Sequence, residues 1–262
     1  ASHENILMMT NQRFILKQIT SGGMKADQPD SLYKLRQFEA IIMYVFFVLW
    51  GFICACQARN QSIDLFINPN AVGPSIFVDS EVPDLSRLGS SFNYDDMTSS
   101  ICLEGVWILY DDKFYNEAGD KFVESFWSTK SPSCYNLYKP GVTSSVRYAG
   151  DFQAWRKPSV TLFDRTWFQG GEKYFTYNEI DMCKNCESQS LILCGELSWT
   201  FYSQNYFGGK SVCLTPRYDK PLLMSDSRWV IQFTIQSLRP GCYSNNKVVI
   251  EMPDSGRLSN RE

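Results

Sequence analysis

The chain has 262 residues, of which 20% are charged and 44% hydrophobic, and this composition excludes an intrinsically disordered protein. Its formal net charge of -3 provides no general attraction to nucleic acid. The single histidine, His3, excludes a Ser-His-Asp triad or a multi-histidine metal site beyond the first few residues. These counts favour a folded, non-enzymatic protein that does not bind nucleic acid.

The N-terminal segment, residues 1–38, mixes apolar and polar side chains. Residues 5–19 alternate between the two in a way that fits an amphipathic helix lying on a membrane or on a partner. A solvated tail is the alternative. We expect this segment to lie in the cytosol.

An apolar stretch follows, since residues 40–58 contain no Asp, Glu, Lys or Arg. A helix of this length rises about 28 Å, close to the thickness of a bilayer's hydrocarbon core. The sequence therefore predicts an uncleaved transmembrane signal anchor over residues 39–58, with the lipid bilayer as one partner. A cleaved signal peptide and a buried helix of a soluble protein are the alternatives.

Charge and cysteine content predict the orientation of this anchor. Lys25, Lys34 and Arg36 precede the apolar stretch and only Arg59 follows it closely, which places the N-terminus in the cytosol. Seven of the nine cysteines lie beyond the stretch, as expected for an extracellular or lumenal region, and we expect the membrane to be the plasma membrane. Asn60 begins a glycosylation sequon, but its closeness to the bilayer argues against its use.

Beyond residue 58 the sequence repeats four times. Each repeat opens with a short alternating strand that ends in an aromatic residue, followed by a turn containing glycine; the four segments are Ile63–Phe66 with Gly73, Trp107–Tyr110 with Gly119, Val160–Phe163 with Gly170, and Trp199–Tyr202 with Gly209. Each repeat closes with a serine and a glycine; these pairs are Ser100 and Gly105, Ser145 and Gly150, Ser190 and Gly195, and Ser237 and Gly241. The serines are 45, 45 and 47 residues apart, which indicates one repeated structural unit.

The residue types of this unit predict its local structure. Period-two alternation is typical of a strand with one buried face. The turn glycine permits positive φ, so that the hairpin can fold back over the preceding aromatic ring. The serine hydroxyl can bond to backbone groups of the folded hairpin. Four strands per unit, exchanged between neighbouring units, would form Greek-key sandwiches.

The segments Phe163–Gly170 and Tyr202–Gly209 resemble the folded-hairpin signature of the βγ-crystallins, and residues 98–107 and 143–150 resemble that family's serine-containing strand. The resemblance implies a mainly β chain with two Greek-key β-sandwich domains, residues 62–150 and 158–243, followed by a tail, 244–262. Three repeats depart from the pattern: Ala71 replaces the second aromatic residue, Gly119 comes late, and Cys183–Cys186 interrupts the third.

The resemblance also implies a calcium site. Calcium-binding members of the family carry two Asn or Asp residues, two variable residues, Ser or Thr, and then Ser; Asp95, Asp96 and Ser99 match this pattern, with Ser100 structural. The equivalent stretches of the other repeats do not match it. An acidic loop with a serine cap is the alternative interpretation.

The remaining candidates are cysteines and tryptophans. Because Cys183 and Cys186 have neither a second such pair nor a nearby histidine, we favour disulfides over a zinc or redox site; their potential partners are Cys194, Cys213 and Cys242, and Cys102 and Cys134 form a further candidate pair. Trp107 and Trp199 are predicted to be core residues. Trp127 and Trp155 fall outside the repeat positions, and exposure toward a partner is an alternative for them.

These features lead to one functional hypothesis and two alternatives. The leading hypothesis is a non-enzymatic, single-pass membrane protein that acts as an accessory subunit or recognition module of a channel, pump or transporter complex. Its contacts with other subunits would involve the transmembrane helix and the extracytosolic domains. The alternatives are a secreted or anchored calcium-binding structural or adhesion protein and a lectin-like carbohydrate binder.

Overall fold

The computed structural model of the chain describes residues 60–89, 92–128, 132–182, 187–217 and 220–260. The predicted N-terminal helix, the signal anchor over 39–58, and Cys183 and Cys186 lie outside the described residues. Within the ranges given above, no helix has both the length and the apolar character needed to span a bilayer.

The described residues form β-strands joined by hairpins and short 3-10 turns. The strands are β1 (Ser62–Asn68), β2 (Val72–Val78), β3 (Ser100–Glu104), β4 (Val106–Tyr110), β5 (Val123–Trp127), β6 (Ser133–Asn136), β7 (Ser145–Tyr148), β8 (Ser159–Phe163), β9 (Glu172–Phe175), β10 (Ser190–Cys194), β11 (Trp199–Gln204), β12 (Gly208–Thr215), β13 (Leu222–Met224), β14 (Ser237–Pro240), β15 (Lys247–Val249) and β16 (Arg257–Ser259). They build four four-stranded sheets, with orders β2-β1-β3-β6, β16-β5-β4-β7, β13-β10-β8-β9 and β14-β11-β12-β15.

Strand exchange between repeats creates the two sandwiches. Strand β6 belongs to the second repeat but pairs antiparallel with β3 of the first repeat. In the same way β13, from the fourth repeat, pairs with β10 of the third. The reciprocal exchanges are reduced to single bridges, Val82 with Val146 and Glu179 with Leu238. The prediction of a mainly β chain with Greek-key sandwiches is confirmed.

Each sandwich has an apolar core between its two sheets. In the first sandwich the alternating residues Ile63 and Leu65 of β1 face Trp107 and Leu109 of β4, and all four are buried. In the second, Val160 and Leu162 of β8 pack in one cluster with Trp199 and Phe201 of β11; the exposed fractions are 2% or less. Trp107 and Trp199 are therefore core residues, as the repeat predicts.

A third apolar cluster joins the two sandwiches. Ile108 and Trp127, on the outer face of the second sheet, pack in one cluster with Phe163 and Ile192 of the third sheet. Trp155, in the connection between the sandwiches, is 4% exposed and belongs to the same cluster. Strands β4, β8 and β10 are consequently buried on both faces, which differs from the one-sided burial expected of an isolated sandwich.

The residues after 243, predicted as a tail, contain two short strands that bridge the sandwiches. Strand β15 runs parallel to β12 of the second sandwich, whereas β16 pairs antiparallel with β5 of the first. Asn260 extends this contact, because its side-chain oxygen accepts a 2.6 Å hydrogen bond from the backbone N–H of Val123. The C-terminal segment therefore adds to the contact between the two sandwiches.

Candidate functional site

The four serines that close the repeats make the same pair of hydrogen bonds. Each hydroxyl donates to a backbone carbonyl near the start of its own hairpin and accepts from a backbone N–H three residues later. For Ser190 the bonds run to Arg165 O, at 2.5 Å, and from Phe168 N, at 2.9 Å. Ser100, Ser145 and Ser237 bond in the same way. The predicted role of the serines is thus present in every repeat.

These bonds hold a strained backbone conformation. Each hairpin places non-glycine residues at positive φ, and bulky side chains rarely adopt this region. Trp167 and Phe168 have φ of 56° and 59°, and Tyr206 and Phe207 have 56° and 62°. The second ring then folds over the first, with centroids 5.6 Å apart for Phe163 and Phe168. The serine bonds therefore stabilise a turn that local preference opposes.

Replacing Ser190 with alanine is expected to lower the free energy of unfolding by about 1–3 kcal/mol, because the buried Phe168 N–H loses its acceptor. Urea denaturation measures this change. Ser255→Ala, at an exposed position with one long 3.4 Å bond, is the matched control and should have little effect. Equal effects of the two substitutions would contradict the assigned role of Ser190.

The second repeat follows this pattern more closely than its sequence predicts. The rings of Tyr110 and Tyr115 pack edge to face with centroids 5.6 Å apart, and Tyr115 N donates to Ser145 Oγ. Asn116, with φ of 58°, takes part in the turn, whereas Gly119 does not adopt positive φ. The late Gly119 is therefore not the positive-φ glycine of this hairpin, and the connection is longer than in the third repeat, since Tyr110 pairs with Val123 whereas Phe163 pairs with Glu172.

A buried arginine connects the two sandwiches beside this hairpin. Arg147 of β7 is 1% exposed, and its guanidinium donates to Tyr110 Oη at 2.7 Å, Phe168 O at 2.5 Å and Gly170 O at 3.0 Å. It also lies over the ring of Phe163 at 4.7 Å. Tyr110 belongs to the first sandwich and the other three partners to the second, so Arg147 binds both sandwiches. The sequence signal is an arginine two positions after the repeat serine.

Arg239 occupies the same position in the fourth repeat. Its Nε donates to Tyr202 Oη at 2.9 Å, and its guanidinium lies over the rings of Tyr202, Phe207 and Tyr243. Unlike Arg147, Arg239 is only half-buried. The internal repeat thus supplies a natural comparison between a buried and a partly exposed arginine.

The predicted calcium residues lie on the loop before β3. The Asp95 carboxylate is 3.5 Å from Lys113 Nζ, and its Oδ1 is buried without a hydrogen-bond partner among the described residues. Asp96 is exposed, has φ of 57°, and accepts a 3.2 Å hydrogen bond from Ser144 Oγ. Ser99 is half-buried, and its backbone N–H bonds to Phe66 O.

Lys113 also binds a second carboxylate in this region. Its ammonium is 3.1 Å from Asp84 Oδ1 and 3.0 Å from Ser86 Oγ. The Ser86 hydroxyl and the Lys113 ammonium hold the pKa of Asp84 below its usual value despite burial. Conversely, the bond to Asp84 raises the pKa of Lys113. Part of the negative charge of the acidic loop is therefore already balanced by the protein.

No group of three or more metal-binding side chains occurs within the described ranges.

Two disulfides cross-link strands in the described part of the chain. Cys102 of β3 pairs with Cys134 of β6, the suggested pair, and this bond attaches the exchanged strand to its sheet. Cys213 pairs with Cys242. Closing loops of this length stabilises a fold by about 3–4 kcal/mol in the chain-entropy model. Disulfides of this kind are typical of an extracellular or secreted domain.

Cys194 was predicted as a disulfide partner, and the structure contradicts this. It is a buried free thiol that packs in the cluster between the sandwiches, and burial raises its pKa to about 12. The other two predicted partners of Cys183 and Cys186, Cys213 and Cys242, bond to each other instead. The sequence could not distinguish an interface position from a disulfide position.

The tryptophan and sequon predictions have different outcomes. Trp127 and Trp155 are not exposed toward a partner, because the second sandwich covers them. Trp229 is instead 81% exposed. Asn60 is exposed, but Gln61 of its sequon is fully buried and binds Ala149 O and Val106 N.

No protein-family model and no curated protein sequence matches the chain. Among solved structures, geodin, a βγ-crystallin from Geodia cydonium, is 18% identical, with a TM-score of 0.52 over 69% of this chain and 99% of geodin. The fifth crystallin domain of the non-lens protein Absent in melanoma 1 is 21% identical over 32% of this chain and 87% of that domain, with a TM-score of 0.28. Protein S in complex with calcium is 17% identical over 69% of this chain and 99% of protein S, with a TM-score of 0.27.

The likeness to geodin establishes the fold. Together with the strand exchange and the four serine-bonded hairpins, it defines a βγ-crystallin-like double domain.

Proposed function

We propose that this chain is a non-enzymatic accessory or recognition module that presents a rigid pair of βγ-crystallin-like domains outside the cytosol, anchored through residues 39–58. The observation that carries the proposal is the apolar cluster between the sandwiches. Domains fixed in this way present one continuous surface of constant shape, as a recognition module requires. The two disulfides and the apolar stretch support the compartment and the anchor.

Epitope tags at both ends of the chain test the orientation and the anchor. In sealed microsomes, added protease should remove the N-terminal tag and leave the C-terminal tag and the double domain intact. Mass spectrometry of the chain purified in mild detergent should then find channel, pump or transporter subunits. A mature N-terminus near Arg59 on released protein would contradict anchoring and favour the secreted alternative.

The acidic loop supports calcium binding as a second candidate function. The buried, unpartnered Asp95 Oδ1 fits a cation at this loop, where Asp95, Asp96 and Ser99 would hold it. A bound calcium ion would contact several of these oxygen atoms at once and so cross-link the loop. Lys113 opposes this, because its ammonium is already 3.5 Å from the other oxygen of Asp95. We therefore propose a weak structural site rather than a calcium sensor.

Calcium at millimolar concentration is expected to raise the melting temperature of the chain, since binding to the native state alone stabilises it. Asp96→Ala should abolish this rise, and Lys113→Met should increase it by removing the competing ammonium. Asp79→Ala, at an exposed acidic position outside the loop, is the control and should leave the rise unchanged. An unchanged melting temperature of the wild-type chain would end this proposal.

A further inference from the structure

A cleft of about 400 Å³ opens where the two sandwiches and their connection meet. The first sandwich contributes Glu81 and Tyr148, the connection contributes Phe152, and strand β9 of the second sandwich contributes Glu172 and Tyr174. The size is within the usual range of small-ligand sites, about 300–1,000 Å³. Because both sandwiches supply walls, the cleft exists only when they are joined.

We infer that this cleft binds an organic ammonium group, carried either by a free amine or by a lysine side chain of a partner. Its lining combines carboxylates with aromatic rings, the two kinds of group that attract such a cation. The rings of Tyr148 and Phe152 lie 5.6 Å apart between centroids and form a continuous aromatic wall. A bare metal ion would prefer a shell of oxygen atoms, so the aromatic wall favours an organic cation.

The described residues balance the negative charge of the cleft's carboxylates only in part. Glu81 and Glu172 come from different sandwiches, and both line the cleft as neighbouring carboxylates. Arg147 is the nearest cation, with Nε 3.6 Å from Glu172 Oε2, but its donors bond to Tyr110, Phe168 and Gly170. Within the part of the chain that the structure describes, Glu172 Oε2 is accordingly buried without a hydrogen-bond partner. An entering ammonium group would bring positive charge to the Glu172 side chain, which is 27% exposed.

The third carboxylate of the cleft is already paired. Asp151 accepts hydrogen bonds from the backbone N–H groups of Gln153 and Ala154 and forms a 2.8 Å ion pair with Lys157. We therefore assign cation binding to Glu81 and Glu172.

Binding should release a proton. The pKa of Glu172 is raised to about 7, chiefly by burial. Arg147 opposes this rise, and the neighbouring Glu81 carboxylate adds to it. An ammonium group stabilises the ionised form of Glu172 and so expels its proton. The tyrosines around Glu172 stay neutral near neutral pH, because burial raises the pKa of Tyr110, Tyr115, Tyr148 and Tyr174. Asp151, which also lines the cleft, stays ionised because its bond to Lys157 lowers its pKa, and the same bond raises the pKa of Lys157.

Isothermal titration calorimetry of the full chain in mild non-ionic detergent tests this inference. Choline and Nα-acetyl-lysine amide are the cationic probes, and 3,3-dimethylbutanol is the neutral analogue of choline. At about pH 7 we expect the cations to bind at least about tenfold more tightly than the neutral analogue. Stronger binding of choline would indicate a small free ammonium compound, and stronger binding of the lysine amide would indicate a partner's lysine.

Variants separate this site from non-specific binding. Glu172→Gln should weaken cation binding about tenfold and abolish proton release. Repeating the titration in buffers of different ionisation enthalpy measures the number of protons released. Glu251→Gln, at an exposed carboxylate outside the cleft, should change neither quantity. Equal binding of the neutral analogue, or no cation binding by the folded wild-type chain at about 20 mM probe, would overturn the inference. The result does not depend on the proposed membrane anchor.

Discussion

Replacing Trp127 with alanine is expected to lower the free energy of unfolding by about 3–5 kcal/mol, the usual cost of removing a large buried aromatic side chain. Trp127 is fully buried on the outer face of the first sandwich, in the cluster it shares with Phe163, Phe168 and Leu223 of the second. The loss should fall on the contact between the sandwiches rather than on either internal core. Urea denaturation followed by circular dichroism measures this change.

Trp229→Ala is the matched control, because this side chain is 81% exposed. Its effect should lie within about 0.5 kcal/mol of zero. A Trp127→Ala protein as stable as the control would mean that the two sandwiches do not cover this side chain.

Replacing Arg147 with methionine should destabilise the protein by about 3–5 kcal/mol, as breaking a buried charged network usually does. The substitution removes the donors to Phe168 O and Gly170 O, so bonds between the sandwiches are lost. It also removes the positive charge that lowers the pKa of Glu172, so the pKa of this carboxyl should rise above about 7. Urea denaturation and NMR titration measure the two effects.

Arg239→Met provides an internal control for Arg147→Met. Arg239 makes the equivalent bond to Tyr202 Oη, but it is only half-buried and contacts aromatic rings of its own sandwich. Its replacement should cost clearly less and leave the pKa of Glu172 unchanged. Equal destabilisation by the two substitutions would contradict the proposed role of Arg147 between the sandwiches.

The repeat itself could be predicted from the sequence, because its strongest signals are local. A serine every 45–47 residues, an alternating strand and a closing glycine each reflect a bond or a backbone angle within one repeat. The Ser190 hydroxyl, for example, bonds to backbone atoms 22 and 25 residues away, within its own repeat. The closing glycines Gly105, Gly150, Gly195 and Gly241 all adopt positive φ, which side chains rarely allow.

The contact between the sandwiches could not be predicted in the same way. Ile108, Trp127 and Cys194 face outward from their own sandwich, and nothing in their local sequence distinguishes burial by a second domain from exposure or cross-linking. A run without polar residues, such as Val106–Tyr110, was the available signal, since burial on both faces removes alternation. The same limit applies to the cleft, because Glu81 and Glu172 are distant in sequence and meet only through this contact.

The most direct test of the central claim follows each core separately during unfolding. The chain can be labelled with 5-fluorotryptophan and its ¹⁹F NMR signals followed in increasing urea, with Trp107 reporting the first core, Trp199 the second and Trp127 the contact between them. If the sandwiches form one cooperative body, all three native signals will disappear at the same urea concentration. Loss of the Trp127 and Trp107 signals while the native Trp199 signal persists, or the reverse order, would contradict the account.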